Sequence, residues 1–429
     1  MLGAAAAAGV SISARAQVNG TGRPRLRLGI IADLSGPYAD LSRPSEVCAR
    51  QALEDFNVSA RGWDVDVLVA DHQNKADVAA ATARRWIDQD GLDALVDVST
   101  SATSLAVNTI AREKNKVFLA SGPGTSDLTG AQCSPNTIHW VWDTAMLARS
   151  LGSSVLRQGG DSWFFLGADY AFGHQLARDT TLVVQGGGGR VTGTVFHPFP
   201  GTTDFSSFLL RAQASGAKVL GLCNGGADLI TCVKQAREFG IARRMKIVGL
   251  MTYDTMIHSM GLQEAQGLQI AATYYWDLND RTRAWQARVQ PKTPQLYPNM
   301  VTAGIYSSTM HYLKAVSDMG VAEAKRDGAA VIARMKAMPT DDDCFGPGRI
   351  REDGRKLHPV YLLEAKKPAK SRHEWDLLKV VETLSPEDSF RPIGEGDVHW
   401  CPLDAVGVID VGTRPTLLVM FATNPGTVR

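Results

Sequence analysis

Three short runs of small hydroxyl-bearing residues follow apolar, strand-like stretches: Ser35–Tyr38, Ser99–Ser101 and Ser121–Thr125. Hydroxyl groups and the free amides at the start of a helix can together hold an anion without a full positive charge. Each run also fits a simpler interpretation, in which a side-chain oxygen caps the next helix. Because all three runs fall at the same edge of one predicted sheet, we expect a carboxylate cradle there. Its predicted members are Ser99, Ser101, Ser121, Gly122 and Thr125.

A second set of strand-like stretches ends in different residue types, with aromatic rings in place of most hydroxyl groups. The candidates are Tyr170, Asn224, Tyr253 and Asp254. The two tyrosine rings can form a wall against an apolar ligand body, and Asp254 or Asp169 could pair with an ammonium group. A structural interpretation, with rings in the core and polar groups capping loops, is equally open for each of them.

The elements that position these residues alternate between strands and helices. In the first part of the chain, strands are predicted at 26–32, 65–69, 93–98 and 116–120, and helices at 45–57, 76–89 and 102–114. The alternation restarts after Asp143, with predicted strands at 163–166, 191–196, 218–222 and 246–250, and helices after Tyr170 and at 205–215 and 227–239. This order is typical of parallel sheets covered by helices. We therefore predict an α/β fold with two doubly wound units.

Beyond residue 276 the pattern becomes mainly helical. Helices predicted at 280–290, 299–318 and 324–338 precede strand-like pieces at 359–363 and 375–380. These pieces are too few for a third domain, so we expect them to complete the two units, with the chain crossing between them more than once. In open parallel sheets the carboxyl ends of the strands face a crevice, and ligands bind there.

Several classes of function lack their sequence signals. The chain has no G-x-x-x-x-G-K-[ST], G-x-S-x-G or H-E-x-x-H motif. The nearest approach to a dinucleotide fingerprint is Gly122-Pro123-Gly124, but Asp127 occupies the third glycine position, where its charge would repel a pyrophosphate. With 45 basic and 44 acidic residues, the chain also lacks the cationic surplus that nucleic-acid binding needs. We expect no catalytic step, no cofactor, no metal site and no nucleic-acid partner.

The first 17 residues, MLGAAAAAGVSISARAQ, read as an export signal. A short apolar run precedes Ala14-Arg15-Ala16, whose small residues suit a signal peptidase, and the run is too short to span a bilayer. No Lys or Arg precedes it, which is consistent with a start upstream of Met1. In an oxidising compartment one pair of the 6 cysteines could form a disulfide, but their spacing does not define which. Cys48 and Cys223 are predicted to be small buried residues.

Six stretches together resemble a known family: LRLGIIADLSGPYADLSRPSEVCARQALEDFN, STSATSLAV, SGPGTSDLTG, ADYAFG, NGGADLITCVKQAREFGI and GLQEAQGL. From about residue 25 to 402 the chain is similar to periplasmic solute-binding proteins of the branched-chain amino-acid ABC transporter type. The resemblance implies two Rossmann-like lobes, joined by three hinge strands, that close on a ligand. Lobe 1 would comprise 24–143 and 277–350, and lobe 2 would comprise 144–276 and 351–402. The tail at 403–429 does not resemble the family's usual ending.

The resemblance also implies roles for individual residues. Ser101 or its neighbour Ser99, with the segment Ser121–Thr125, would grip a ligand carboxylate, and Tyr38 would pack on the ligand. The matching positions on lobe 2 are Tyr170, Asn224, Tyr253 and Asp254. The stretches CSPNTIHW and YYWDLN are similar to members that bind aromatic acids. An aromatic or other apolar carboxylate and a branched-chain amino acid therefore both remain open as ligands.

The expected protein is a monomer that delivers a small organic acid or amino acid to the membrane permease of an ABC importer. One alternative is a ligand sensor on the same fold, either a cytoplasmic amide-type regulator or a periplasmic module acting on a membrane kinase. A cytoplasmic sensor would keep residues 1–17, so cell fractionation distinguishes it. Another alternative is a nucleotide-dependent oxidoreductase, which would show cofactor absorbance.

Overall fold

Two parallel β-sheets form the centre of the structure, a computed structural model that describes residues 22–395. The first sheet contains β1 (Arg25–Ala32), β2 (Asp64–Asp71), β3 (Ala94–Val98), β4 (Val117–Ala120) and β5 (Thr137–His139), in the order β2-β1-β3-β4-β5. The second contains β6 (Ser162–Ala168), β7 (Arg190–His197), β8 (Val219–Cys223) and β9 (Lys246–Gly249), in the order β7-β6-β8-β9. Neighbouring strands within each sheet run parallel. We call the units built on these sheets lobe 1 and lobe 2.

Burial on both faces explains the apolar composition of the central strands. Every residue of β3, β4, β6 and β8 is buried, as expected for parallel strands covered by helices. On β1, Leu28 and Ile30 pack into the main core, whereas Ile31 packs with Trp86 on the opposite face. The alternation of side chains along a strand thus feeds two separate apolar clusters.

Helices cover both sheets. Lobe 1 carries α1 (Ala39–Ser42), α2 (Ser45–Phe56), α3 (Ala76–Asp88) and α4 (Ser101–Glu113). Lobe 2 carries α5 (Thr144–Leu147), a π-helical segment (Ala148–Gly152), α6 (Ser153–Arg157), α7 (Ala171–Gly186), α8 (Ser206–Ala214), α9 (Gly226–Glu238), α10 (Asp254–Met260) and α11 (Leu262–Ala265). The strand-to-helix turns at the carboxyl edges of the two sheets position the candidate residues.

The last third of the described chain adds to both lobes. Its elements are β10 (Gln269–Ala272), α12 (Asp280–Val289), α13 (Met300–Met319), α14 (Val321–Arg326), α15 (Gly328–Ala337), β11 (Arg349–Ile350), β12 (Lys356–Leu357), β13 (Val360–Ala365), β14 (Leu378–Leu384) and α16 (Pro386–Ser389). α13 packs along α2 in lobe 1 and is buried around most of its circumference. β10, β13 and β14 form an antiparallel sheet beside lobe 2.

The chain passes between the lobes three times, after β5, after β10 and after β12. A buried ion pair ties the first crossing to the third, because Arg355 lies 3.3 Å from Asp143. Burial lowers the pKa of Arg355 to about 10, although the charge of Asp143 partly opposes this shift. The predicted α/β fold with two lobes and hinge crossings is confirmed.

Some predicted elements are wrong in detail. The helix predicted at 324–338 is two helices, because Asp327 leaves the helical conformation and its side chain accepts a hydrogen bond from the amide of Ala330 to start α15. The strand predicted at 375–380 begins only at Leu378, since the carbonyl of Trp375 accepts side-chain hydrogen bonds from Tyr275 and Trp276. The short strands β5, β10, β11 and β12 were not predicted.

Within residues 22–395 no helix is both long enough and apolar enough to cross a membrane. Cys48 and Cys223 are free and buried, as predicted, and burial raises the pKa of the Cys48 thiol to about 12. Cys133 takes part in a disulfide. The predicted export signal (1–17), the tail (403–429) and the last part of the predicted lobe 2 (396–402) lie outside the described residues.

Candidate ligand-binding site

A narrow cavity lies between the carboxyl edges of the two sheets. Lobe 1 contributes Tyr38, Leu41, Ser42, Ser99, Thr100, Ser101, Gly122, Gly124 and Val301, lobe 2 contributes Tyr170, Phe172, Met251 and Tyr253, and the first crossing contributes Trp142. All of these lining residues, within the described part of the chain, are uncharged. The centre of a water molecule can move through about 30 Å³ of the cavity, which is room for roughly two ordered waters. A ring-bearing ligand therefore requires the lobes to separate or the wall side chains to turn.

Ser99 follows β3 and has a hydroxyl that is already paired. Its Oγ accepts a hydrogen bond from the amide of Asp33 at 2.9 Å and lies 3.1 Å from Nε2 of His72. The amide of Asn74 donates to Nδ1 of His72, so Nε2 carries the hydrogen and donates to the carbonyl of Ser99 at 2.7 Å. Ser99 thus lines the cavity while its side chain holds neighbouring loops together.

The next two residues combine backbone strain with an unpaired hydroxyl. Thr100 has φ 79° and ψ 148°, a conformation that only glycine adopts easily and that costs about 1–3 kcal/mol. Ser101 begins α4, and its buried hydroxyl has no hydrogen-bond partner among the described residues. The strained turn therefore brings a helix start and an available hydroxyl to the cavity wall, a combination suited to an anion.

The first amides after β4 donate to a buried carboxylate, although Gly122 and Gly124 also line the cavity. The amides of Ser121 and Gly122 donate to Oδ1 of Asp97 at 3.0 and 2.8 Å. A Cβ atom on Gly122 would lie 2.8 Å from Oδ2 of Asp97, so glycine is needed for this close approach. Burial raises the pKa of Asp97 to about 7, although these amide hydrogen bonds lower it.

Two predicted cradle residues do not line the cavity. The hydroxyl of Ser121 is buried beside α13, where a Cβ atom on Gly304 would lie 3.2 Å from it. Thr125 is fully buried, and its Oγ1 accepts from the amide of Asp127 at the start of a 3₁₀ turn, at 3.3 Å. In this structure Thr125 therefore matches the capping interpretation that was open at the sequence level.

Aromatic rings, together with Met251, form the lobe 2 side of the cavity. The Tyr170 ring stacks on Phe199 with centroids 4.5 Å apart. Its hydroxyl lies 2.5 Å from the hydroxyl of Tyr38, so this hydrogen bond bridges the lobes. Burial raises the pKa of Tyr38, and the hydrogen bond to Tyr170 lowers it again in part. Tyr253 packs edge-on against Trp142, with centroids 5.9 Å apart.

Asn224 and Asp254 lie behind this wall and do not line the cavity. The Asn224 amide nitrogen lies 3.3 Å from Nε2 of His197 and 3.4 Å from the sulfur of Cys232. Asp254 begins α10, where one carboxylate oxygen accepts from the amide of Thr255 and the other has no partner among the described residues. Burial raises the pKa of Asp254 to about 7, with a smaller opposing effect of the amide hydrogen bonds.

Glycines in lobe 2 allow the lobes to meet. A Cβ atom on Gly226 would lie 2.7 Å from the carbonyl oxygen of Pro37 and close to the ring of Tyr38. Gly226 also has φ 59°, which side chains disfavour.

On another side of the cavity the Gln175 side chain donates to Asp127 at 2.7 Å, and Ser126 donates to Asp179 at 3.0 Å. The structure therefore shows the lobes in contact around the cavity.

Six of the ten predicted site residues line the cavity: Tyr38, Ser99, Ser101, Gly122, Tyr170 and Tyr253. On lobe 2 and the first crossing, sequence reasoning missed Trp142, Phe172 and Met251. Phe172 lies within the quoted ADYAFG stretch, two residues after Tyr170, and was available as a signal. Trp142 follows the unpredicted strand β5, so no strand end marked it.

Within residues 22–395, no cluster of three or more His, Cys, Asp or Glu residues could hold a metal ion.

Comparison with known protein families identifies the family to which this fold belongs. Residues 25–371 match the family described as periplasmic binding protein, a match that spans well over half of the chain. The chain belongs to the periplasmic binding protein family. The resemblance predicted from the sequence is thereby confirmed, and the cavity between the lobes is the candidate binding site of a periplasmic binding protein.

Solved structures of other members share the fold. A periplasmic binding protein from Burkholderia mallei is 42% identical with a TM-score of 0.81, and the match covers 86% of this chain and 96% of that one. A branched-chain amino acid ABC transporter periplasmic ligand-binding protein from Burkholderia xenovorans is 35% identical with a TM-score of 0.77, covering 86% and 98%. An R. palustris solute-binding protein in complex with 4-hydroxybenzoate is 20% identical with a TM-score of 0.76, covering 84% and 97%. At that identity the likeness shows the fold alone.

Proposed function

We propose that this periplasmic binding protein is the receptor of an ABC importer and captures a small apolar or aromatic carboxylate between its lobes. The observation that carries the proposal is the cavity itself, whose described wall is uncharged and combines lobe 1 hydroxyls with lobe 2 rings. A ligand that contacts both walls favours the closed state over the open state. The name of the Burkholderia xenovorans relative supports the assignment to a transporter.

The chemistry of the wall favours an acid over an amino acid. An amino acid would bury its ammonium group against a wall whose described residues include no carboxylate, and an unpaired buried charge is costly. Neither predicted ammonium partner is in the wall: Asp254 lies behind Tyr253, and Asp169 is exposed and lies 2.7 Å from Nε2 of His174. A carboxylate, by contrast, can accept a hydrogen bond from Ser101 at the start of α4, while the rings of Tyr170 and Tyr253 contact its apolar body.

Matched ligand pairs test the proposal by thermal shift. We would compare 4-methylpentanoate with leucine, and 3-phenylpropanoate with phenylalanine, because each pair differs only in the ammonium group; benzoate completes the panel. The acids should stabilise the protein by about 2.7 kcal/mol at 100 times the dissociation constant, and the amino acids should not. A shift with leucine but not with 4-methylpentanoate would overturn the ligand class. No saturable shift with any of the five compounds would overturn the binding function proposed here.

Export to the periplasm is part of the same proposal. It is supported by Ala14-Arg15-Ala16 ahead of Gln17 and by the disulfide at Cys133, since disulfides persist in oxidising compartments. Fractionation and N-terminal sequencing should find a periplasmic protein that begins at Gln17. A cytoplasmic protein that retains residues 1–17 would favour the sensor alternative.

We further propose a monomer with no catalytic step that docks on membrane permease subunits once its lobes have closed. The predicted lobe limits of 24–143 with 277–350, and of 144–276 with 351–402, remain part of this proposal, with the last boundary moved from 350 to the end of β12 at residue 357. Light scattering on the purified protein should give the mass of one chain. A stable dimer would contradict the proposed monomer.

A further inference from the structure

Two tryptophans on the first crossing, Trp140 and Trp142, differ in one respect. Both side chains are buried. The indole N–H of Trp140 donates to Oγ of Ser307 at 2.8 Å, and Ser307 in turn donates to Asp342 at 2.6 Å. The indole nitrogen of Trp142 has no hydrogen-bond partner among the described residues, and Trp142 lines the cavity, which Trp140 does not.

An unpaired buried indole N–H is uncommon in proteins, and although Trp285 also has one in the described chain, Trp285 does not line the cavity. Most buried polar side-chain atoms in proteins have a partner, and an exception calls for an explanation. The indole nitrogen can only donate, so an acceptor is the one group that satisfies it. Because burial leaves this donor without water, an acceptor brought by a ligand would gain a hydrogen bond in a poorly solvated place.

The ring of Trp142 is held in position by its neighbours. Phe172 and Tyr253 pack edge-on against it, with centroid distances of 6.0 and 5.9 Å. A Cβ atom on Gly124 would lie 2.4 Å from the far edge of the ring, so glycine at this position leaves room for the indole. Trp142 is therefore a pre-positioned donor, and such donors bind acceptors with little loss of side-chain entropy.

We propose that Trp142 is a ligand-binding residue, whose indole N–H donates to the carboxylate of the ligand together with the hydroxyl of Ser101. Both groups are buried, both lack a partner among the described residues, and both residues line the same cavity from different elements. Two donors require acceptors, so they bind the carboxylate end of a ligand and exclude an ammonium group from this position. This inference rests on the proposed function and deepens it.

The position of Trp142 also links the ligand to the hinge. Its carbonyl accepts a hydrogen bond from Arg355 at 3.3 Å, next to the ion pair between Arg355 and Asp143. These contacts join the first crossing to the third. A ligand held by Trp142 therefore acts directly on the segments about which the lobes move.

The test compares Trp142→Phe with Trp140→Phe by isothermal titration with benzoate and 4-methylpentanoate. Trp142→Phe keeps a ring but removes the donor, and it should weaken binding about 5–30-fold while lowering the melting temperature less than Trp140→Phe does, because it loses packing but no hydrogen bond. Trp140→Phe removes a paired donor, so it should lower the melting temperature and change the dissociation constants less than twofold. An unchanged affinity in Trp142→Phe would overturn the inference and leave the proposed function intact.

Wild-type protein provides a second measurement that does not depend on the folding of a variant. Benzoate should bind at least about tenfold more tightly than methyl benzoate, because the ester keeps the ring but loses the anionic acceptor. One indole ¹⁵N–¹H resonance, absent in Trp142→Phe, should also move when benzoate is added. Equal binding of acid and ester would overturn the inference. If none of benzoate, 4-methylpentanoate and 3-phenylpropanoate binds the wild-type protein, the proposed ligand class fails and the inference fails with it.

Discussion

The two lobes present opposite surfaces to the cavity, although both are parallel sheets covered by helices. On lobe 1 the strand ends carry hydroxyls and amides, and most of these are paired internally, as Ser99 is with Asp33 and Gly122 is with Asp97. On lobe 2 the wall consists of Tyr170, Phe172, Met251 and Tyr253, and the polar groups lie behind it.

This difference indicates a division of roles within the proposed mechanism. Few donors on lobe 1 remain available, chiefly Ser101, so they fix the polar end of a ligand with defined geometry. The rings of lobe 2 contact the apolar end without demanding a particular shape, because dispersion and burial are non-directional. Affinity then depends on closure as much as on either wall alone, and the four predictions below test this view.

The largest expected effect comes from obstructing closure. Gly226→Ala places a methyl group 2.7 Å from the Pro37 carbonyl, and overpacking of this kind costs about 1–3 kcal/mol. Because the clash exists only when the lobes meet, ligand affinity should fall roughly 5–150-fold. Isothermal titration measures the affinity, and small-angle scattering should show a more open protein.

Gly240→Ala is the matched control, since Gly240 follows the end of the same helix with φ 69° and a methyl group added there would meet no described atom within 4 Å. Both variants carry the backbone strain of a side chain at positive φ, so both should lose similar stability. Equal affinities for the two variants would show that lobe contact at Gly226 does not contribute to binding.

The second prediction concerns the buried acid beneath the lobe 1 wall. The pKa of Asp97 is about 7 in the folded protein and ordinarily 3.8, so between these values the unfolded chain loses its proton and the folded chain keeps it. Stability should therefore fall as the pH rises from about 4 to 7 and then stay low. The free energy of unfolding of Asp97→Asn, compared with wild type, should therefore rise by about 2 kcal/mol as the pH is raised from 5 to 8. Urea unfolding at the two pH values measures it.

Asp254→Asn tests the same charge on the other lobe, because burial also raises the pKa of Asp254 to about 7. Both variants should be more stable than the wild-type protein at pH 8, because each removes a buried carboxylate that must lose its proton. Only Asp97→Asn should bind an anionic ligand more tightly than wild type at pH 8, since Asp97 lies beneath the wall that holds the carboxylate. A larger affinity gain in Asp254→Asn would reverse the assignment of the two walls.

The third prediction separates a binding hydroxyl from a capping hydroxyl. Ser101→Ala removes an unpaired group, so it should weaken binding by about 1 kcal/mol, or roughly fivefold, with no loss of stability. Thr125→Ala removes a cap and should cost about 1 kcal/mol of stability without changing affinity. If Thr125→Ala weakened binding and Ser101→Ala did not, Thr125 would belong to the carboxylate cradle and Ser101 would not.

The smallest expected effect comes from the hydrogen bond between the lobes. Tyr38→Phe or Tyr170→Phe should weaken binding about two- to fourfold, and the double variant should be no worse than either single one. Tyr275→Phe is the control, because its hydroxyl donates to the carbonyl of Trp375 beside lobe 2; it should alter stability alone. Additive losses in the double variant would mean that the two hydroxyls act independently.

The sequence was most informative where local physics repeats. Parallel strands buried on both faces are mostly apolar, so β4 and β8 stood out as continuous apolar runs. β5 has only three residues, Thr137–His139, two of them polar, and its pairing to β4 and burial come from the surrounding fold. Since β5 leads directly into Trp142, missing the strand also concealed the tryptophan.

The site was harder to predict because residue type does not fix the direction of a hydrogen bond. Ser99, Ser101 and Thr125 all looked alike as small hydroxyls beside helix starts. The fold turned the first toward Asp33, left the second unpaired and used the third as a cap. Each outcome depends on what lies across the turn, often tens of residues away along the chain.

The sequence by itself determined the α/β alternation, the two units, the family resemblance and the presence of polar strand ends facing aromatic ones, because periodicity and turn chemistry are local. The tertiary structure decided which donors remain available, which acids are buried and which indole lies on the wall. These properties depend on the contacts that long-range packing creates and on the water that it removes, and neither is encoded in a residue and its near neighbours.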